Sequence, residues 1–552
     1  MSILLVSREP LKEPNFLHLQ KHLDSKLRHK YFRLDFITTL EVKHIIDNLN
    51  CSKATGVDGI GPKLIKMTSD HICVALTSLI NNSIETGIFP NKLKIARVIP
   101  IFKKGSTENP SNYRPISILN TISKIFERHV ANQMHEFMKE TNIIHQTQSG
   151  FRKEHSCLTA LTYMTDSWMK SIDNGEIVGC VLLDLQKAFD LVDHEILLYK
   201  LKLYHFSETT LAWFKSYLNG RYQHVQHNNE KSNELEIKTG VPQGSILGPL
   251  LFLLYVNDLP MAIHKSSLDM YADDSTLYTS GRNFSVIEQS LQEDTNNISN
   301  WCKINNMAIN ANKTKCMVVG SKTKVKSNKN LTLSVNNELI ENVTNQKILG
   351  VNVDNTLEWH LQIKDVCARV NSKLYMFKII SKHLSGNMKV LFYNSYILPV
   401  LDYCNTIWGS CNQTQIYKLS KLQKRAARII LNKSFHTPSA IMFNELSWLS
   451  MSNRFKYHMG ILVYKALNNI GPSYFCNLVT KSGNHSYQLR SVTHGDLVIA
   501  AKPNTLYLKR TFGYCGMNIW NKIPLDIRCK PSLSKFKTAL YSYFLVASNT
   551  SI

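Results

Sequence analysis

Across 552 residues the sequence contains no C-x-x-C pair, its twelve cysteines being scattered from Cys51 to Cys529. That scatter leaves a zinc ribbon or knuckle unsupported, and so many isolated thiols suit a reducing, intracellular compartment. Long hydrophobic runs are also lacking. The longest, Ile246–Val256, is interrupted by Gly248 and Pro249 and falls well short of a bilayer span, while Ile3–Val6 is too short for a signal-peptide core. No internal repeat is evident. Acidic residues are scarce where the chain is most basic: residues 355–552 hold 25 Lys and Arg against 6 Asp and Glu, whereas residues 1–354 hold 40 against 35.

What is present can fold. Hydrophobic residues make up 43% of the chain and charged residues 19%, enough to bury sizeable cores. The formal net charge of +24 points to a polyanionic partner. Cations spread through an otherwise apolar, foldable region suggest a surface along a phosphate backbone rather than a disordered tail, with solvated helix faces as the plain alternative.

Residues 1–38 show no clear periodicity and read as a connector or the remnant of something longer. Helical spacing marks Leu40–Leu49, Leu64–Glu85 and Ser117–Lys139, with an apolar strand, Ile95–Phe102, running into the basic turn Lys103–Gly105. Val178–Leu183 is a short, continuously apolar strand that ends in Asp184. A helical pattern follows to Leu201, then a helix around Trp213–Leu218. Strand-like residues to Lys238 and a turn-rich loop over 239–245 lead into a buried helix, Ile246–Asn257. Residues 268–278 read as a hairpin with Asp273 and Asp274 at its tip, and 285–307 as an amphipathic helix. Lys315–Gly320 and Ile348–Val353 look like strands separated by a lysine-rich connection over 322–329. Beyond residue 354 the pattern is mostly helical, and Leu419–Leu431 is a basic amphipathic helix carrying Lys421, Lys424, Arg425 and Arg428.

Asp184 and the pair Asp273–Asp274 stand at the ends of apolar strands. Ionised carboxylates beside a hydrophobic core are costly unless a positive charge sits on them, and a divalent cation is the usual compensation. Magnesium suits such oxygen donors, and two ions about 3.5–4 Å apart would clamp both oxygens of an in-line phosphoryl transfer. Alone, Asp-Asp is simply a good turn and Asp184 a good helix cap. Their order with other motifs is what carries weight.

TyrAlaAspAsp (271–274), AspLeuGlnLysAlaPheAsp (184–190) and GlyValProGlnGlySerIleLeuGlyPro (240–249) resemble the palm of reverse transcriptases. The wording is closest to the polymerases of LINE-class, non-LTR retrotransposons of the Jockey-like and chicken-repeat-like kind. SerIleLeuGlyPro after the central loop sets it apart from group II intron maturases. The resemblance runs from about Leu40 to the C-terminus and is most specific between Arg97 and Val353.

That resemblance implies an α+β, right-hand polymerase: fingers, a palm built on an antiparallel sheet with helices on one face, a helical thumb and a mostly helical C-terminal region. The implied spans are a connector over 1–38, fingers over 39–177, palm over 178–353, thumb over 354–440 and a basic region of unassigned role over 441–552. It implies that Asp184 and Asp273 bind two catalytic Mg2+ ions, with Mn2+ as a substitute and Asp274 assisting. Phe189 matches the aromatic beneath the incoming sugar, where a bulky ring excludes a 2′-hydroxyl. Lys103 and Arg114 match the cations that grip the triphosphate, although Lys104 stands where the family often has proline. Gln243 and Gly244 match the loop at the template–nucleotide pair, glycine letting backbone approach nucleic acid. Gly150, Phe151 and Arg152 match the template-side segment. Lys313 matches a candidate acid toward departing pyrophosphate, and Leu349–Gly350 the turn that holds the primer end. Lys421, Lys424, Arg425 and Arg428 would track duplex phosphates. Trp520 reads as core.

The implied partners are an RNA template, a DNA primer or target and deoxynucleotide triphosphates, with no membrane. The implied location is the nucleus and cytoplasm, as a ribonucleoprotein. About forty residues precede the first finger motif; the expectation is a chain without the endonuclease such elements carry. A catalytically silent or domesticated nucleic-acid-binding copy is the main alternative, and a viral-type RNA polymerase, usually GlyAspAsp at the tip, a weaker one.

Overall fold

The computed structural model describes residues 16–227, 230–327, 330–479 and 502–549. They fall into two compact units whose segments alternate along the chain.

The first unit takes residues up to 151, 184–264 and 294–310. Its sheet is nucleated by the strand the apolar run marks, Ile95–Phe102, which pairs antiparallel with Tyr113–Ile118 from Arg97↔Ile118 to Phe102↔Tyr113. The same strand runs parallel to Arg221–His227, on which Leu235–Ile237 folds back. Helix Thr39–Asp47 opens on a capping box: Glu41 N donates to Thr38 Oγ1, and Thr38 N to the Glu41 carboxylate. The expected long helix 64–85 is two, Pro62–Met67 and Ser69–Thr86, broken at Thr68. The helix expected directly after Asp184 begins only at His194. There Asp193 accepts hydrogen bonds from Glu195 N and Ile196 N and so caps His194–Leu203. Helix Gly248–Val256 is buried along its length from Leu250 to Val256.

The described part of the span 1–38 holds a helix. Helix Leu17–Leu27 buries Leu19, Leu23 and Leu27, an i, i+4, i+8 stripe set among polar residues that hide it from a run-based reading. Residues 1–15 lie outside the described residues.

The second unit holds 152–183, 265–293 and 311 onward. Its five-stranded sheet has the order Glu341–Asn342, Lys315–Val319, Ile177–Leu183, Asp274–Gly281, Ser267–Tyr271, with Ile177–Leu183 antiparallel to both neighbours. One short pairing, Glu341–Asn342 with Lys315–Val319, is parallel. Helix Cys157–Asp173 covers one face, where Trp168 meets Tyr278 edge-on. The other face is covered as well, although one covered face was expected: a Cβ on Gly179 would lie 2.6 Å from Ile287 and 2.8 Å from Leu291 of helix Phe284–Ile304. The expected strand Ile348–Val353 is a hairpin, Asn345–Ile348 against Val351–Asp354, turning at Leu349–Gly350. The lysine-rich connection contains a short helix, Lys322–Ser327; 328–329 lie outside the described residues.

Helices His360–Ile380 and Gln413–Leu431 pack through Val370, Leu374, Phe377, Leu419, Leu422 and Ala426. Further on, Met451–Leu467 and Leu533–Asn549 enclose Tyr464, Trp520, Phe536 and Leu540, so Trp520 is core, as read. This C-terminal part is tied to helix Cys157–Asp173. Buried Asp166 accepts from Phe512 N at 2.7 Å and Gly513 N at 2.9 Å, and Asp173 accepts from Thr505 N at 2.7 Å. Residues 480–501 of the basic region lie outside the described residues.

Candidate nucleotidyl-transfer site

In the second unit, Tyr271↔Asp274 is the last pair of the hairpin, leaving Ala272–Asp273 as a two-residue turn. Asp273 sits in the turn and Asp274 opens the returning strand, in line with the sequence reading. Ala272 has φ 57, a left-handed conformation that costs a residue with a Cβ on the order of 1 kcal/mol. Burial beside Cys157 pushes the Tyr271 phenol up to about 12. On the adjacent strand, Leu183 pairs with Ser275, and Asp184 is the next residue of the chain.

Lower in the hairpin, Asp269 is half-buried and paired in register with Thr276, and its Oδ2, shut off from solvent, has no hydrogen-bond partner. Burial pushes its carboxyl up from 3.8 to about 7, partly opposed by Tyr278. A carboxyl whose value is raised on folding stabilises fully below its unfolded value, and the contribution is lost as pH rises through about 7. Asp269→Asn is therefore expected to raise stability at pH 8–9 by on the order of a few kcal/mol, the gap closing toward pH 4. Urea melts at several pH values check this; a gap independent of pH refutes it.

In the first unit, Asp184 is half-buried and its carbonyl accepts Asn310 N at 2.8 Å. Phe189 stacks on Phe252 with ring centroids 4.4 Å apart and meets Phe151 edge-on at 6.1 Å. Phe151, read as a template contact, thus packs against the candidate sugar gate while remaining 47% exposed. Gly150 is buried, its N–H bonded to Gln148 Oε1 at 2.8 Å. Lys103 and Arg114 are both exposed at one end of the pair Ile95–Phe102 and Tyr113–Ile118: Arg114 pairs with Ile101, and Lys103 N donates to Asn112 O at 2.8 Å.

The loop after Lys238 is fixed at several points. Gln243 O accepts from Ser117 N at 2.8 Å, and Ile246 N donates to buried Glu127 Oε2 at 2.5 Å. Burial drives the Glu127 carboxyl up, opposed by the Ile246 N–H and by Arg221. Gly244 has φ 135, and a Cβ there would fall 2.3 Å from Ser117 O. The reason for glycine was read as access for nucleic acid; the structure supplies a nearer one, the backbone of strand Tyr113–Ile118. Gly244→Ala is expected to displace the loop and cut activity about 100-fold or more. Steady-state kinetics with a thermal melt check this, and activity within about threefold of wild type refutes it.

Elsewhere in the second unit, Lys313 is exposed in the turn before Lys315–Val319, and Arg152 is half-buried, its guanidinium drawn down by burial. The Leu349–Gly350 turn has φ 44 and 84, and Tyr403 Oη donates to Leu349 O at 2.7 Å, pinning its tip. On helix Gln413–Leu431, Lys421 and Arg425 are exposed while Lys424 and Arg428 are half-buried; Arg428 covers Phe435 at 4.9 Å. The stripe is therefore part solvent-facing and part packing.

Among the described residues no three or more His, Cys, Asp or Glu side chains are gathered as a metal-holding group. A pair of carboxylates still suits a hard ion that keeps its other positions for water and substrate phosphates. Asp190 and Glu127 were passed over by the sequence reading. Asp190 lay in plain view as the last residue of AspLeuGlnLysAlaPheAsp; Glu127 carried no local signal.

In the second unit, a hairpin with a carboxylate turn lies beside the strand that runs into Asp184, the order in which the reverse-transcriptase motifs of the sequence stand. Residues 101–353 match the family model described as reverse transcriptase (RNA-dependent DNA polymerase), and the chain carries such a domain. Over 431 residues, 76% of this chain, it is 28% identical to the probable RNA-directed DNA polymerase from transposon BS of Drosophila melanogaster, covering 47% of that protein. Against the RNA-directed DNA polymerase from mobile element jockey of the same organism it is 30% identical over 408 residues, 72% of this chain and 44% of the relative. The probable RNA-directed DNA polymerase from transposon X-element, also of Drosophila melanogaster, is 28% identical over 428 residues, 76% of this chain and 46% of the relative. The chain thus spans less than half the length of these relatives. The likeness agrees with the Jockey-like, non-LTR resemblance of its motifs. Reverse transcriptases work on a nucleic-acid template with nucleotide substrates and divalent metal ions; among the described residues no helix is long and apolar enough to cross a membrane.

Proposed function

We propose that the chain is an RNA-directed DNA polymerase that adds deoxynucleotides to a primer 3′-hydroxyl on an RNA template and releases pyrophosphate. The observation that carries this is a register: Leu183, which precedes Asp184, pairs with Ser275, which follows Asp274, so the strand that leads into Asp184 lies beside the strand that Asp274 opens. In this reading Asp184 and Asp273 hold the ions, two Mg2+ or Mn2+ in their place, and Asp274 assists. Such ions, when bound, offset charge on the attacking and leaving oxygens. Lys103 and Arg114 steady the triphosphate, whose negative charge grows toward the leaving group. Phe189, backed by Phe252, lies under the sugar and leaves no room for a 2′-hydroxyl. Gln243 and Gly244 line the nascent pair, and Lys313 gives a proton to departing pyrophosphate. Leu349–Gly350 seats the primer end, Gly150, Phe151 and Arg152 lie on the template side, and the exposed cations of Gln413–Leu431 follow the duplex.

Purified protein supplied with a primed RNA template and either deoxynucleotides or ribonucleotides tests this. Extension with deoxynucleotides is expected. Extension with ribonucleotides alone would make it an RNA polymerase, and binding without extension would leave a silent nucleic-acid-binding protein; either overturns the reading.

A further inference from the structure

The carboxylate of Asp190 stands where three segments of the first unit meet. Gln243 Nε2 donates to its Oδ1 at 2.8 Å. Around that bond the segments 189–192 and 239–243 are zipped together: Val241 N donates to Phe189 O at 2.9 Å, Gly240 N to Val192 O at 2.7 Å and Thr239 Oγ1 to Asp190 O at 3.2 Å. The fit leaves no slack, since a Cβ on Gly240 would come within 2.7 Å of Asp190 O. Burial pushes the Asp190 carboxyl up, opposed by the Gln243 amide and then by Lys187 and Lys103, which favour its charged form.

An ionised carboxylate only accepts hydrogen bonds, whereas a glutamine amide has a donating and an accepting end. Asp190 therefore selects the orientation of Gln243: the NH2 faces Asp190, and the carbonyl oxygen is turned away from it. We propose that Asp190 is a positioning residue for nucleotide selection, fixing the Gln243 amide in one orientation and joining it to the backbone that carries Phe189. This rests on the polymerase reading above. Asparagine at 190 keeps the size but offers either end to Gln243, so the amide loses its fixed sense while the packing survives.

The test is primer extension on an RNA template by the full chain carrying Asp190→Asn, Gln243→Ala or both, with melting temperature followed in parallel. Asp190→Asn is expected to raise the KM for deoxynucleotide about tenfold with kcat within about threefold and melting little changed. The double variant should be no worse than Gln243→Ala alone, because both remove one interaction. Wild-type extension with an unchanged KM in Asp190→Asn, or single effects that multiply in the double variant, overturns the role of Asp190. A parallel fall in kcat and melting temperature overturns it in favour of simple structural support. No extension by the wild type overturns the polymerase reading itself, and this inference with it.

Discussion

Asp273→Ala is expected to abolish primer extension, by about 1,000-fold or more in kcat, while binding of a primed template changes by less than about threefold. The split follows from where Asp273 sits. It occupies a two-residue turn, outside the ladder that ends at Tyr271↔Asp274, so removing its carboxylate deletes no strand pair. It is half-buried and takes no part in the hydrophobic core of its unit. Template affinity, by contrast, comes from many cations, and loss of one acid leaves that field intact. Filter binding beside a gel-based extension assay reads both quantities. Activity equal to wild type would remove Asp273 from the chemistry. Loss of binding in proportion to activity would mean that the turn shapes the protein rather than the reaction.

The carboxylate turn was legible because its signals are local. A continuous apolar run specifies a buried strand, and the two strands so marked, Ile95–Phe102 and Val178–Leu183, appear with at most one residue of difference. The hairpin around Asp273 was equally plain, since alternating apolar residues on either side of a short polar tip leave few other ways to pair. What stayed hidden depends on contacts far apart in sequence. Asp166 carries no local signal, and its partners Phe512 and Gly513, more than three hundred positions later, deliver their N–H groups to it. The constraint on Gly244 comes from Ser117, on another strand, and the partner of Asp190 lies 53 residues away. Helix Leu17–Leu27 was missed for a different reason: three leucines at four-residue spacing make a narrow stripe, diluted by five charged or histidine side chains within the same span.

Lys200→Ala is expected to destabilise the first unit by about 3–5 kcal/mol. Lys200 is fully buried, donating from Nζ to Tyr255 O at 2.6 Å and to Asp258 Oδ1 at 2.7 Å. Three rings surround the ammonium, with centroids at 4.8 Å for Phe16, 5.0 Å for Tyr255 and 5.2 Å for Trp301. Burial pulls the lysine toward its neutral form, and Asp258 opposes that pull. Truncation leaves the Asp258 carboxylate, itself nearly inaccessible, without its counter-charge, and that uncompensated charge is the main cost. Replacing both members with apolar residues of similar volume, Lys200→Met with Asp258→Leu, removes the charge as well as the bond and is expected to recover most of the loss. The pair also joins helix His194–Leu203, downstream of Asp184, to the end of helix Gly248–Val256, downstream of Gln243. The single variant should therefore lose activity at temperatures where it remains largely folded, while the double variant regains it. Urea melts followed by tryptophan fluorescence, with Trp301 beside the ammonium as a reporter, give the energies. A cost below about 1 kcal/mol for Lys200→Ala, or a double variant no more stable than the single, would show that the rings and not the ion pair hold this corner of the unit.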